Sequence, residues 1–263
     1  MLAPMIQTKP MTDAELPTTC FAAHAWQGVS KKYSFVNTGD VVHAMAEIGL
    51  KPYLCKVSRT RLEEKRGYTK HMLRFRQEGA LPLAGGVFPE VVIVNSHDTG
   101  SSFRAELGLY RLICKNGMVA QFANWGEYRG IHTGLSIENV LAGVQTIVKQ
   151  FPILDAAVRS MQNQHMNESQ RENFAQAAAL LRWDTEKMPF APNMLLATRR
   201  EEDVEPTVWN VFNTVQENLL QGQYARSYSQ GYRTVRRHTR AVGSIDVDLQ
   251  LNRGLWSLAA AYA

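Results

Sequence analysis

Two short apolar runs constrain this chain most: VVIV at residues 91–94 and LYRLI at residues 109–113. Each is too short for an ordinary helix, and their β-branched and aliphatic content suits strands. A sheet must therefore form in the first half of the chain. Each run ends in a polar cluster. The first delivers Asn95, Ser96, His97 and Asp98; the second delivers Cys114, Lys115, Asn116 and Gly117. Strand ends that carry hydrogen-bonding side chains are a common way for a sheet to present a site.

The flanking sequence extends the pattern. Residues 34–36, 53–59, 70–76 and 103–114 read as further strands, with Gly108 as a bulge in the last. Residues 81–89 read as loop. Asp40 is the expected cap of a helix carrying Val41, Val42, Met45 and Ile48. The second half changes period. Ser136, then Asn167 or Ser169, then Thr207 precede apolar residues spaced by three and four, and Gly222 stops the third of these helices. Pro152 kinks the first helix or starts a new one. A last helix carries Leu249, Leu255, Trp256 and Leu258. The expected fold is α+β: a mixed, mostly antiparallel sheet from the N-terminal half, packed with helices from the C-terminal half. Residues 1–20 read as a flexible leader and 21–263 as one domain, β-rich over 21–134 and helical over 135–263. Two small domains divided near Gly134 are the alternative.

Composition narrows the function classes. No apolar run reaches the roughly 18 residues of a membrane span, and the first residues lack the basic start and apolar stretch of a signal peptide. A cytoplasmic protein without membrane attachment is expected. Cys20, Cys55 and Cys114 form no CxxC pair, so neither a disulfide framework nor structural zinc is indicated. The net charge of +5 is uneven. Between Lys51 and Arg76 there are nine Lys/Arg against two Glu, and between Arg226 and Arg240 there are five Arg and no acid. Two separate basic clusters suit a polyanion, although solvated faces also carry such charge.

In the first cluster, Arg74 and Arg76 alternate along one strand and are expected to face outward. Arg59, Arg61, Lys65, Arg66 and Lys70 lie in or beside the preceding connection. Such a hairpin can lie along a phosphate backbone. The second cluster interleaves Arg226, Tyr228, Tyr232 and Arg233, followed by Arg236, Arg237 and Arg240. Tyrosines there can stack on unpaired bases while arginines meet phosphate, or they can simply cover a helix.

The segments NSHDTGSS, YRLICKNGM, WNVFNTVQENLLQG and RRHTRAVGSIDVDLQLNRGLWSLA together resemble the prokaryotic, phage and plasmid family called domain of unknown function 932. The resemblance runs from about Tyr33 to Leu258. It implies a place in mobile elements and supplies no settled activity.

Catalytic readings compete with turn chemistry. His97, Asp98 and His132 have metal-ligand side chains, but Asp-Thr-Gly-Ser is a good turn in its own right. Cys114 with His97 or His132, oriented by Asn116 and beside Lys115, has the residue types of a thiol nucleophile. A cysteine ending an apolar strand is more commonly just buried. Asn116-Gly117 also reads as a strand-ending turn. Glu217 is expected to pair with an arginine of 226–240. Asp246 and Asp248 read as helix-capping residues rather than a magnesium pair.

The leading expectation is a nucleic-acid-binding protein of mobile-element type. It would contact single-stranded DNA in replication, recombination or annealing, as a homo-oligomer without a cofactor. One alternative is an enzyme on nucleic acid or nucleotides, using His97, Asp98, Arg111, Cys114 and Asn116 with magnesium or manganese. Another is an interaction protein directed at a host defence complex.

Overall fold

The computed structural model describes residues 9–30, 33–111, 116–119, 127–130, 135–222, 228–230, 233–235 and 239–263. The chain forms two compact units, Met1–Leu154 and Asp155–Ala263. The fold is α+β, with the sheet in the N-terminal unit and helices dominating the C-terminal one.

In the first unit, α1 (Thr38–Glu47) precedes strands β1 (Leu50–Val57), β2 (His71–Gln77), β3 (Val87–Asn95), β4 (Phe103–Arg111), β5 (Asn116–Val119) and β6 (Glu127–Gly130), followed by α2 (Ile137–Val148). The sheet runs β1-β2-β3-β4-β5, with β6 also pairing β4, and every pairing among these strands is antiparallel. Register sorts the side chains. Leu73, Ile93 and Ala105 line up across three strands, as do Phe75, Val91 and Leu107. All six are fully buried. Both helices cover this apolar face. Thr38 of α1 bonds His71, which shares the face of Leu73. Gly143 of α2 sits so close to Tyr128, the β6 partner of Ala105, that a Cβ there would lie 2.4 Å from the ring.

The opposite face is buried too, and alongside Met72, Val92 and Val94 it carries buried charges. Glu90 of β3 accepts from Arg74 Nε and, at 2.6 Å, from Arg76 Nε. Arg74 Nη2 continues over Gly108 to the carbonyls of Leu109 (3.1 Å) and Met118 (2.6 Å). Gly108 is not a bulge: it pairs Glu90 in regular register. Its missing side chain leaves room for the guanidinium, since a Cβ there would meet Arg74 Nη2 at 3.1 Å and Val92 Cγ2 at 2.6 Å. Arg76 lies under Tyr110 (3.9 Å to the ring centroid) and Tyr53 (4.6 Å).

Local capping follows the sequence with two changes. Asn37, not Asp40, caps α1 by accepting from the Gly39 and Asp40 amides, and no strand forms at 34–36. Asn116 and Gly117 lie in β5, paired with Arg111 and Tyr110, rather than in a turn. Residues 87–89 belong to β3 rather than to a loop. Ser136 caps α2 as expected. Cys20 and Cys55 are free thiols, and the hydrogen bond that Cys55 makes to Cys20, together with burial, pushes the Cys55 thiol up.

The boundary between the units falls within α3 (Phe151–Asn163). The second unit continues with α4 (Glu168–Leu180), α5 (Val208–Gln221), strands β7 (Tyr228–Gln230) and β8 (Arg233–Val235), and α6 (Ile245–Ala260). Asn167 and Thr207 cap α4 and α5, and Ser244 rather than an aspartate caps α6. The centre of this unit is α5. Trp209, Phe212, Val215 and Leu219 are fully buried, with Phe212 edge-on to Trp256 of α6. Its polar side is buried as well. Glu217 pairs both oxygens with Arg200 (3.0 and 2.7 Å), Asn218 accepts from Arg199 (2.6 Å), and Gln216 donates to Asn252 (2.7 Å). Among the described residues the partner of Glu217 is thus Arg200, which the chain before α5 supplies; Arg226, Arg236 and Arg237 of the basic segment lie outside them. At Gly222 (φ 84°) a Cβ would lie 2.2 Å from the Thr239 carbonyl, and Val242 N–H donates to Leu220 O (2.8 Å). The two ends of the basic segment therefore meet at the end of α5. Arg182 donates to the carbonyls of Leu219 and Arg240 there.

Candidate nucleic-acid interface

The NSHD segment ends β3, opposite the start of β2, so His71 pairs Asn95. Its side chains turn inward. Thr38 Oγ1 is the hub: it contacts His71 Nε2 at 2.8 Å and His97 Nε2 at 3.4 Å, and accepts from Asn95 Nδ2 at 3.0 Å. His71 Nδ1 lies 3.0 Å from the Thr69 carbonyl, which fixes that nitrogen as the protonated one. The Thr38 hydroxyl then donates to Nε2. His71 and His97 rings are 5.3 Å apart, and Phe35 packs on His97 at 4.9 Å. All of Thr38, His71, Asn95, Ser96 and His97 are buried. Burial pushes the His71 pKa down to about 4, against the opposing pulls of the Thr69 carbonyl and Asp98. His71 is therefore neutral near pH 7. Burial first, then Asp98, pushes the Tyr33 hydroxyl up, and it donates to the Ser96 carbonyl (2.7 Å).

Asp98 leaves the cluster and makes a turn. Its Oδ1 accepts from Gly100 N–H (2.9 Å), Thr99 adopts φ 65°, and Ser96 Oγ accepts from Ser101 N–H (2.8 Å). The turn reading of DTGS holds in these bonds.

The backbone of His97 reaches outward. Its N–H donates to the Tyr68 carbonyl (2.9 Å) and its carbonyl accepts from Trp26 N–H (2.9 Å). One buried residue thus anchors two surface segments. Tyr68 belongs to the β1–β2 connection, where a 3-10 turn (Glu63–Lys65) is closed by Arg66 N–H donating to the Glu63 carbonyl (3.1 Å) and is followed by a turn in which Tyr68 N–H donates to the Lys65 carbonyl (2.9 Å). Lys65 Nζ lies 4.2 Å from the centroid of the Trp26 ring. Such a contact at a partly exposed site contributes about 0.5–1 kcal/mol. His24 faces Tyr68 at 5.7 Å. Arg59 and Arg61 are exposed and make no ion pair among the described residues, while Arg66 pairs with exposed Glu63 (2.7 Å). Lys70 is half-buried, and its carbonyl accepts from Ser58 N–H (2.8 Å). The result is a cationic surface turn bracketed by aromatic rings and seated on a buried histidine.

Two expected surface cations are not there. Arg74 and Arg76 are 3% and 4% exposed and serve Glu90. Strand alternation does put them on one face, but that face is interior rather than solvent. Among the expected catalytic residues, His97 is buried in the hub. Arg111 is buried at the end of β4, where Asn116 is its strand partner. Cys114 and His132 lie outside the described residues. So do Arg226, Tyr232, Arg236 and Arg237. Tyr228 and Arg233 lie on the antiparallel pair β7–β8, and Arg240 is exposed. Among the described residues, no three His, Cys, Asp or Glu side chains group to hold a metal, and no helix is long and apolar enough to cross a membrane.

Sequence reasoning missed Trp26, Tyr68 and His24 at the surface, and Thr38, His71 and Glu90 inside. Trp26 carried one signal, a Trp followed closely by Gly28 and then by the basic pair Lys31-Lys32. The partners of His71 carried none, because they come from four separate elements.

Known relatives match this sequence along nearly its whole length. The chain is 31% identical to UPF0380 protein YfjQ of Escherichia coli strain K12 over 254 residues, covering 95% of this chain and 91% of that protein. It is also 31% identical to UPF0380 protein YafZ of the same strain over 256 residues, covering 96% and 92%. No solved structure matches it. The model of the family described as domain of unknown function (DUF932) matches residues 25–256, and the chain belongs to that family.

Proposed function

We propose that this protein binds nucleic acid through the β1–β2 connection, with single-stranded DNA as the partner, in a replication, recombination or annealing step of a mobile element. The observation that carries the reading is the exposed turn with Arg59, Arg61 and Arg66, flanked by Lys65 over Trp26. Exposed cations supply sequence-independent attraction to phosphates, and each one neutralised releases counterions. Adjacent aromatic rings add contact to bases. The His71–His97 hub has a holding role in this reading: it fixes the backbone from which both aromatic segments hang. The proposal places the protein in the cytoplasm and working as a homo-oligomer, since modest phosphate contacts repeated across subunits add up to firm binding.

Gel-shift titrations with single- and double-stranded DNA and RNA test this directly. Retention of single-stranded DNA at about 50 mM salt, weakening steeply by 200 mM, is the expected result, with no product formed in magnesium or manganese. Absence of retention for every nucleic acid at the lower salt would refute it.

A further inference from the structure

Resting on the nucleic-acid reading above, we infer that Trp26 is a stacking platform for an unpaired base, and that Lys65 gives up the ring to that base and moves to the adjoining phosphate. Trp26 is held from two sides. Its amide donates to the His97 carbonyl at 2.9 Å, and its six-membered ring packs so tightly on Gly28 that a Cβ at position 28 would fall 1.9 Å from Cζ3. A ring seated this way is pre-organised, so a ligand stacking on it orders little that is not already ordered. Over the ring lies the Lys65 ammonium, 4.2 Å from the centroid.

The lysine is the movable part. Its backbone is fixed, with its amide bonded to Leu62 O (3.2 Å) and its carbonyl to Tyr68 N–H (2.9 Å), but its side chain is long and only half-buried. An ammonium over a partly exposed ring is a weak contact. A nucleotide offers better partners to both groups at once: a π-face for the indole and a phosphate for the ammonium. Arg59, Arg61 and Arg66 on the same connection then meet neighbouring phosphates. A paired base cannot reach the ring without leaving its stack, so this exchange selects single strands. Tyr68, anchored on the other side of His97 and faced by His24 at 5.7 Å, stands next to the path of the strand.

The test compares an oligothymidylate with an abasic strand of the same length and phosphate count, by fluorescence anisotropy. The wild-type protein is expected to bind the base-bearing strand about tenfold more tightly. Trp26→Ala should bring the two strands to parity while leaving abasic binding unchanged, with Trp26→Phe in between. Lys65→Ala should keep the base preference while the salt slope falls by about 0.7. If Trp26→Ala melts early, Trp26→Phe and Lys65→Ala decide alone. Equal wild-type binding of both strands, or a preference that survives Trp26→Ala, overturns the inference and leaves the binding reading standing. Failure to bind either strand overturns both.

Discussion

Replacing Glu90 with glutamine should lower the unfolding free energy by about 3–5 kcal/mol, read as a shift in the denaturant midpoint. The carboxylate is fully buried and shared by two guanidinium groups that are themselves nearly so. Glutamine keeps the volume and one acceptor but withdraws the negative charge from both. Arg74 retains the Leu109 and Met118 carbonyls, and Arg76 retains the Tyr110 and Tyr53 rings. Carbonyl dipoles and ring faces do not replace a full charge in an interior of low dielectric. Converting all three residues together to Leu or Met should cost far less than Glu90→Gln alone, because no member of the trio is then left as a buried charge without its partner. Arg59→Ala, on the exposed connection, should change stability by less than about 0.5 kcal/mol. A Glu90→Gln cost no larger than that of Arg59→Ala would mean that these charges are not buried as described.

Acid should destabilise the protein through His71. In the folded state its pKa is held at about 4, against an ordinary value of 6.5, chiefly because burial disfavours the cation. The unfolded chain therefore takes up a proton near 6.5 that the folded chain refuses until about pH 4. The contribution is fully present above 6.5, is lost progressively as pH falls from 6.5 to 4, and reaches about 3 kcal/mol. The hub explains why the structure does not adapt. The Thr38 hydroxyl already receives Asn95 and faces His97, so a proton on His71 Nε2 meets an oxygen whose own hydrogen points at it. Unfolding measured at intervals between pH 7 and pH 4 should show this slope, and His71→Gln should flatten it. An unchanged slope in His71→Gln would assign the acid sensitivity elsewhere.

Local signals read well in this sequence, and tertiary ones less so. Ser136, Asn167 and Thr207 cap the helices they precede, because an N-cap needs only its own next turn. The strands at 91–94 and 103–111 follow from apolar runs that both sheet faces bury. What failed was the assumption that a polar residue on an alternating strand faces water. Arg74 and Arg76 lie on the predicted common face, yet that face is closed and neutralised by Glu90 across the register. Glu90 beside an apolar run was the available clue, since a carboxylate on a central strand needs a cation. The NSHD residues resembled an active site because buried hubs and catalytic sites use the same side chains. Their role emerges only when His71, Thr38 and Trp26, distant in sequence, are seen around His97.

In the proposed function, the exposed β1–β2 connection carries the contact with nucleic acid. The most direct measurement is the salt dependence of single-stranded DNA binding by the wild-type protein and by Arg59→Ala/Arg61→Ala/Arg66→Ala. Three lost phosphate contacts should reduce the slope of log K against log salt by about 2, with the melting temperature nearly unchanged. A slope and affinity equal to wild type in that variant would place the contact elsewhere on the protein.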